Sequence, residues 1–273
     1  MGPAAPRVAR LLLDFGEELA SSGAAQAGGA FTDLPEADAL IKRSPEAFLT
    51  GVLFTQGISA ERAWAGPYLL SQRLGHFELE RIAHEEPLVA AALASPPALH
   101  RFVHTLPRWI CSAARRVTDE YGGAAACIWE PGSHVLEITR RLNAFDGIGE
   151  KKAAMAVEIL RRHFGVPMMG AECGSVAYDV HVRRVFLRTG LTDVDTPEAI
   201  REAARRVCPE APGTLDLAAW LVGRDWCRPR DPRCDACRLA PACARLTGRD
   251  VEGVGVRRAQ SSERSSSPES SLG

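Results

Sequence analysis

The chain has 273 residues, of which 46% are hydrophobic, and a formal net charge of −1. It is long enough for one large or two small domains with a sizeable core. The balanced charge predicts no general affinity for polyanions, so any nucleic-acid surface must come from local clusters of basic residues. No segment approaches the ~18 consecutive apolar residues that span a bilayer, and the start is unlike a signal peptide. We therefore expect a cytoplasmic protein, or a nuclear one in a eukaryote.

Apolar residues recur at helical spacing along most of the chain and no segment predicts a strand, so we expect an all-α protein. The predicted helices are 7–20, 45–55, 59–73, 77–83, 87–93, 97–103, 107–121, 134–145, 150–164, 180–189, 197–207 and 215–223. The start of the second is marked by Ser44, Pro45 and Glu46, which supply an N-cap, a proline at the first helical position and an acid in the first turn. Residues 248–273 are polar and serine-rich, and predict a disordered tail.

Two predicted helices flank a short turn that contains Gly147 and Gly149. Glycines allow a tight turn with positive φ and a close approach of backbone to another group. The unpaired amides of the turn and of the next helix, together with the helix dipole, can bind a phosphate. An ordinary helical hairpin gives the same pattern, so the two glycines leave both interpretations open.

Lys151 and Lys152 lie in the first turn of the helix that follows. The helix dipole disfavours cations there. Phosphate binding or nucleophilic catalysis would explain them, because a positive helix end, neighbouring cations and burial all lower the pKa of a lysine and make its amine available. Two exposed lysines that extend into water are the alternative.

Asp179 stands at the N-cap position of the predicted helix 180–189. Capping alone explains such an aspartate and contributes ~1 kcal/mol. A carboxylate held by its own helix is also a fixed negative charge, which can stabilise a cationic transition state or position a nucleophile or water. The sequence leaves both roles open.

One short segment has the cysteine spacing C-x6-C-x2-C-x5-C, formed by Cys227, Cys234, Cys237 and Cys243. In a reducing compartment, clustered cysteines predict a metal site in preference to a disulfide, and four thiolates suit zinc or an iron–sulfur cluster. Residues 224–249 contain seven arginines and three aspartates, a formal charge of +4. This basic segment favours phosphate contacts, although its arginines would also offset thiolate charge.

Together these motifs resemble the helix-hairpin-helix DNA glycosylases of the endonuclease III type, over roughly residues 44–247. The matching segments are GVLFTQG at 51–57, DGIGEKKAA at 146–154, YDVHVRRV at 178–185 and the cysteine segment, whose spacing is the most specific. The resemblance implies two helical lobes that flank a DNA-binding cleft. A six-helix barrel with the hairpin would cover 44–163, and an iron–sulfur lobe would combine 1–43 with 164–247.

The resemblance also implies roles for matching residues. Lys151 would be the Schiff-base nucleophile, Asp179 the catalytic aspartate, and Gln56 the residue that probes the space left by a flipped base. Gly147 and Gly149 would hold a DNA phosphate. The four cysteines would ligate a 4Fe-4S cluster. Further predicted DNA contacts are Lys152, Arg228, Arg230 and Arg233.

The chain departs from the family pattern beside the hairpin. Asp146 replaces the usual proline, Glu150 adds a second acid, and Lys152 replaces the usual threonine. A step of one residue turns a helical side chain by ~100°, so only one of the two lysines can face a cleft. The motif register favours Lys151.

The function that the resemblance implies is base-excision repair of double-stranded DNA. The enzyme would flip a damaged base, break the N-glycosidic bond through a lysine Schiff base, and nick the abasic site by β-elimination. The alternatives are a monofunctional glycosylase for alkylated or mismatched bases, with Asp179 activating water, and a non-catalytic DNA-binding protein. We expect a monomer without membrane contact, associated with the nucleoid in a bacterium.

Overall fold

The computed structural model describes residues 5–21 and 32–247, and the regular secondary structure of these residues is helical. The α-helices are α1 (Ala5–Ser21), α2 (Pro35–Arg43), α3 (Pro45–Phe54), α4 (Ala60–Leu74), α5 (Leu79–Ile82), α6 (Glu86–Ala94), α7 (Thr105–Glu120), α8 (Val135–Asn143), α9 (Glu150–Arg162), α10 (Val180–Thr189), α11 (Pro197–Val207) and α12 (Leu215–Asp225). Short 3-10 helices cover Ala125–Trp129, Ala171–Cys173 and Pro212–Thr214. None of the helices in these residues has the length and apolar character that a membrane crossing needs.

The predicted all-α class is confirmed. In the described part of the chain, β-pairing is limited to one isolated bridge between His134 and Met169. The predicted tail at 248–273 lies outside the described residues.

Side-chain caps set several helix starts, as the sequence predicts. The Ser44 hydroxyl accepts a hydrogen bond from the Ala47 amide at the start of α3, and the Thr196 hydroxyl accepts one from Ala199 at the start of α11. Each bond satisfies an amide that has no partner within its helix. Gly190, at φ +78°, ends α10 in the left-handed conformation that glycine favours.

Two segments differ from the predicted helices. The predicted helix 97–103 is absent: the Leu99 amide donates to the Leu93 carbonyl and the Phe102 amide to the His100 ring, so these amides form no helical bonds. Helix α2 has no counterpart among the predicted helices. Leu40 and Ile41 are its only large apolar side chains, so its sequence shows little helical periodicity.

The buried apolar side chains form two clusters. The first is built on α2 to α9 and includes Phe48 and Phe54. The second packs α1 against α10, α11 and α12 and includes Leu12 and Phe186. Helix α2 belongs to the first cluster through Leu40, whereas the predicted lobe boundary places it with the second. The predicted lobe boundaries otherwise stay a prediction.

Helix α10 is tied to the start of the cysteine segment by two arginines on one face. Arg184 donates to the Gly223 carbonyl at 2.6 Å and also to the carbonyl of Cys227. Arg188 is buried and donates to the carbonyls of Arg228 at 2.6 Å and Pro229 at 3.1 Å. These bonds satisfy both buried guanidinium groups and several loop carbonyls. Helix α10 therefore carries Asp179 at its start and holds the cysteine segment along its side.

Candidate active site

Lys151 and Asp179 meet in the structure. Lys151 lies in the first turn of α9, which packs in the first cluster, and Asp179 is the N-cap of α10 in the second. Lys151 Nζ is 3.1 Å from Asp179 Oδ2; the lysine side chain is 55% exposed and the aspartate 6%. The ion pair therefore joins the two clusters and leaves the amine open to the solvent.

The other oxygen of Asp179 caps its helix. Oδ1 accepts hydrogen bonds from the backbone amides of His181 at 2.7 Å and Val182 at 3.0 Å. These two bonds fix the carboxylate at the positive end of α10, where a negative charge is stabilised. Asp179 thus caps the helix and also contacts Lys151.

Lys152 points in another direction. It is buried, and its Nζ donates to the Leu53 carbonyl at 2.8 Å and lies 5.7 Å from the centre of the Trp109 ring. Burial and, to a smaller extent, the charge of Lys151 lower the pKa of Lys152 to about 8. The predicted DNA contact of Lys152 has no support in this inward position.

Lys152 and His100 together cap the C-terminal end of α3. The Phe102 amide donates to Nδ1 of His100, so Nε2 carries the proton and donates to the Phe54 carbonyl at 3.2 Å. Burial lowers the pKa of His100 and favours its neutral form. The turn that follows contains Gln56, which is half-buried.

A cleft of about 460 Å³ lies between the two clusters. Its lining includes Lys151 and Asp179, Thr55 and Gly57 on either side of Gln56, and part of α12. Lys152 also lines the cleft. The polar and aromatic side chains in the lining that the sequence did not single out are Ser59, Glu61, Trp64, Glu158, Arg162, His163, His181, Thr214, Asp216, Trp220 and Arg224.

Asp216 is the most unusual of these residues. It is buried, and its Oδ1 accepts a hydrogen bond from the Ala177 amide at 2.6 Å. Burial raises the pKa of Asp216 to about 7, against the lowering effect of this hydrogen bond. In the sequence it is an ordinary acid in the first turn of a helix, so no local signal marks it.

The hairpin turn has the backbone that its glycines predict. Gly147 adopts φ +81°, and a Cβ there would lie 2.6 Å from the Trp109 ring. Ile148 is buried between the two glycines. A Cβ on Gly149 would meet no atom within 4 Å. The first glycine is therefore needed for folding, and the second leaves open space above the backbone.

The two acids beside the hairpin have partners within the protein. Asp146 accepts a hydrogen bond from the Ser112 hydroxyl at 2.9 Å, and Glu150 pairs with Arg201 on α11 at 2.6 Å. These contacts partly offset the negative charge that an approaching phosphate would otherwise meet.

Several N–H groups donate hydrogen bonds to the sulfurs of the cysteine loop. Backbone amides donate to the Sγ atoms of Cys237 and Cys243 at 3.4 and 3.3 Å, and the Arg188 guanidinium donates to Cys227 at 3.9 Å. N–H donors to sulfur are a feature of iron–sulfur sites. Burial raises the pKa of these three thiols, so a metal must displace their protons on binding.

The arginines of the loop differ in exposure. Arg230 and Arg233 are exposed, and Arg228 is half-buried. Arg238 is engaged within the protein, because it pairs with Glu18 of α1. Among the predicted DNA contacts of the loop, Arg230 and Arg233 are therefore the most accessible.

No family model matches the sequence. Endonuclease III of Rickettsia conorii is 33% identical over 99 residues, which are 36% of this chain and 42% of that protein. Endonuclease III of Thermotoga maritima is 27% identical over 135 residues, which are 49% of this chain and 54% of that protein. The chain spans about half the length of the curated relatives that it matches.

Solved structures share the fold. A thermostable thymine-DNA glycosylase gives a TM-score of 0.61 at 16% identity and covers 90% of this chain and 97% of its own. A non-covalent endonuclease III–DNA complex gives a TM-score of 0.54 at 19% identity and covers 78% of this chain and 93% of its own. The chain is endonuclease III-like. The match in fold and the matches in sequence confirm the resemblance on which the predicted site residues depend.

In this endonuclease III-like chain, substitution by alanine should affect stability very differently at the two hairpin glycines. Gly147→Ala should lower the free energy of unfolding by about 2–4 kcal/mol, because it adds strain at positive φ and overlap with Trp109. Gly149→Ala should change it by less than about 1 kcal/mol, since φ is −93° and the space is open. Urea unfolding of both variants measures the difference, and equal losses would contradict the described turn.

Proposed function

We propose that this chain is a base-excision DNA glycosylase with AP lyase activity, acting on double-stranded DNA that carries a damaged base. The observation that carries the proposal is the 3.1 Å contact between Lys151 and Asp179 in the lining of the cleft. The similarity to endonuclease III over about half its length supports the reaction class.

DNA would bind across the cleft. A phosphate at the hairpin would accept hydrogen bonds from the free amides at the start of α9, and the open space above Gly149 suits its close approach. The exposed Arg230 and Arg233 would contact a second part of the backbone. This phosphate binding would offset the few kcal/mol that unstacking a nucleotide costs.

The first chemical step would use Lys151 as a free amine. Its Nζ attacks C1′ of the flipped nucleotide, and the bond from C1′ to the base breaks with its electron pair leaving on the base. The Asp179 carboxylate, fixed by its helix cap, stabilises the positive charge that develops on the sugar. Gln56, in the turn beside the cleft, would occupy space near the gap in the duplex.

The lyase step would follow from the same covalent bond. The bond from C1′ to the ring oxygen O4′ then breaks: the linked amine gives up a proton, O4′ takes one, and the nitrogen electron pair forms the C=N bond of a Schiff base, which acidifies the proton on C2′. Loss of that proton drives cleavage of the bond between C3′ and its oxygen, and the strand is nicked. Hydrolysis of the Schiff base then frees Lys151.

The four cysteines of the loop fit a 4Fe-4S cluster better than a single zinc ion. Sulfurs that share one zinc lie ~4 Å apart. In the described part of the chain, three ligand atoms within 4.8 Å of one another occur only at His134, Glu172 and Cys173, outside the loop. The loop sulfurs are therefore spread more widely than around one ion.

The cluster would have a structural role. Cys227, Cys234, Cys237 and Cys243 would hold it. With all four irons ligated by protein, it would offer no open position for substrate. Because Arg184 and Arg188 join the cysteine segment to α10, the bound cluster would stabilise the helix that positions Asp179.

The lyase proposal is tested by borohydride trapping on a duplex with one abasic site. The wild type should form a covalent adduct, and Lys151→Gln should abolish it because the nucleophile is removed. Lys152→Gln is the matched control and should keep the adduct, since the Lys152 amine is turned towards Leu53.

Loss of the adduct only in Lys152→Gln would reverse the assignment. Base release by the wild type with neither adduct nor nick would indicate that Asp179 activates water in a monofunctional glycosylase. DNA binding with no reaction on any damaged base would indicate a binding protein.

The cluster proposal is tested by metal analysis. Wild-type protein should contain about four iron and four sulfide per chain. Cys237→Ser should lose most of both, because a ligand is missing, and Cys127→Ser, outside the loop, should keep them. Stoichiometric zinc without iron in the wild type would contradict the proposed cluster.

A further inference from the structure

The carboxyl group of Asp216 has no role in the steps above. Asp216 is the second residue of α12 and lines the same cleft as Lys151 and Asp179. Its Oδ1 accepts the Ala177 amide, two residues before Asp179, so the two carboxyls are fixed relative to each other. In the described part of the chain no donor contacts the second oxygen of Asp216, which is left for a group in the cleft.

The other carboxylates that line the cleft are all paired with cations. Glu61 pairs with Arg224 at 3.3 Å, and Glu158 pairs with Arg161 at 2.7 Å. Asp179 pairs with Lys151. Among the described residues, Asp216 is therefore the cleft carboxyl without an ion pair, and the one suited to carry a proton.

The surroundings of Asp216 support a carboxyl that is partly protonated near neutral pH. Burial raises its pKa to about 7, and the negative charges of Asp179 on the α10 side and Glu158 on α9 contribute in the same direction. The Ala177 amide and the charge of Lys151 lower it. A general acid is most effective when its pKa lies near the working pH.

We propose that Asp216 is the general acid of base release, which donates its proton to the departing base. This role rests on the proposed glycosylase function and adds the proton donor for the departing base. As Lys151 Nζ bonds to C1′, the C1′–base bond breaks, its electron pair goes to the base, and the base takes the carboxyl proton of Asp216. The products are the covalent sugar, the neutral base and the Asp216 carboxylate. An abasic site has no base to release, so adduct formation there needs no such proton.

The test compares two reactions of Asp216→Asn in the full-length protein. The asparagine keeps a carbonyl acceptor for the Ala177 amide but has no carboxyl proton to give. Single-turnover base release is measured on duplexes that each carry one thymine glycol, uracil, G·T mismatch or purine alkylated on its exocyclic oxygen, all of which are neutral before release and need a proton to leave as neutral bases. Borohydride trapping is measured on an abasic duplex.

Base release should fall by roughly 10²–10⁴-fold in Asp216→Asn, the usual contribution of a general acid, while trapping should stay within about twofold of wild type. Asp38→Asn is the matched control, because Asp38 is a buried aspartate of α2 whose pKa is also raised by burial and which lies outside the cleft lining. It should leave both reactions unchanged.

The pH dependence provides a second readout. Only the protonated form of Asp216 can donate, so wild-type base release should fall as pH rises through about 7. This decline should be absent from the residual activity of Asp216→Asn.

Other outcomes would overturn the assignment. Equal losses of base release and trapping would mean that Asp216 only holds the Ala177 segment in place, and unchanged base release would mean that it has no role. A wild type that releases none of the four bases would also contradict it. If the wild type releases base but forms no adduct, the lyase proposal is wrong, while a selective loss of base release in Asp216→Asn still supports Asp216.

Discussion

The ion pair between Lys151 and Asp179 is the contact on which the arrangement of the cleft depends. Lys151 lies on a helix of one apolar cluster, and Asp179 caps a helix of the other. The pair therefore forms only when the two clusters pack together. Asp179 is held by its helix cap, whereas more than half of the Lys151 side chain is exposed. The buried, capped carboxylate therefore fixes the position of the pair, and the amine that we propose as the nucleophile remains accessible from the cleft.

Helix α10 connects this contact to the cysteine loop. Its first residues donate to Asp179, and Arg184 and Arg188, one helical turn apart, donate to carbonyls of the loop. A buried arginine is stable only when its donors are satisfied, so the loop must close correctly for this helix to keep its place. The proposed cluster site and the Lys151–Asp179 pair are thus connected through one helix.

Interactions between residues that are neighbours in the sequence predict much of this architecture. The caps at Ser44 and Asp179 and the turn at Gly147 depend on neighbouring residues, and the predicted helix starts and positive φ are observed. Adjacent lysines differ by ~100° around a helix. Both line the cleft, but Lys152 is buried and donates to the Leu53 carbonyl, whereas more than half of the Lys151 side chain is exposed.

Properties that depend on distant segments are not visible in the sequence. Asp216 gains its raised pKa from burial against residues far along the chain, and it resembles any acid in a first helical turn. The Leu53 carbonyl that receives Lys152 lies 99 positions away. The predicted helix at 97–103 is replaced by a segment whose amides donate to the Leu93 carbonyl and the His100 ring.

The most direct measurement of the central assignment is peptide mapping by mass spectrometry of the reduced adduct between the wild-type protein and abasic DNA. The geometry of the Lys151–Asp179 pair predicts that the sugar remnant is found on Lys151. A remnant on Lys152, or on any other amine of the chain, would contradict it.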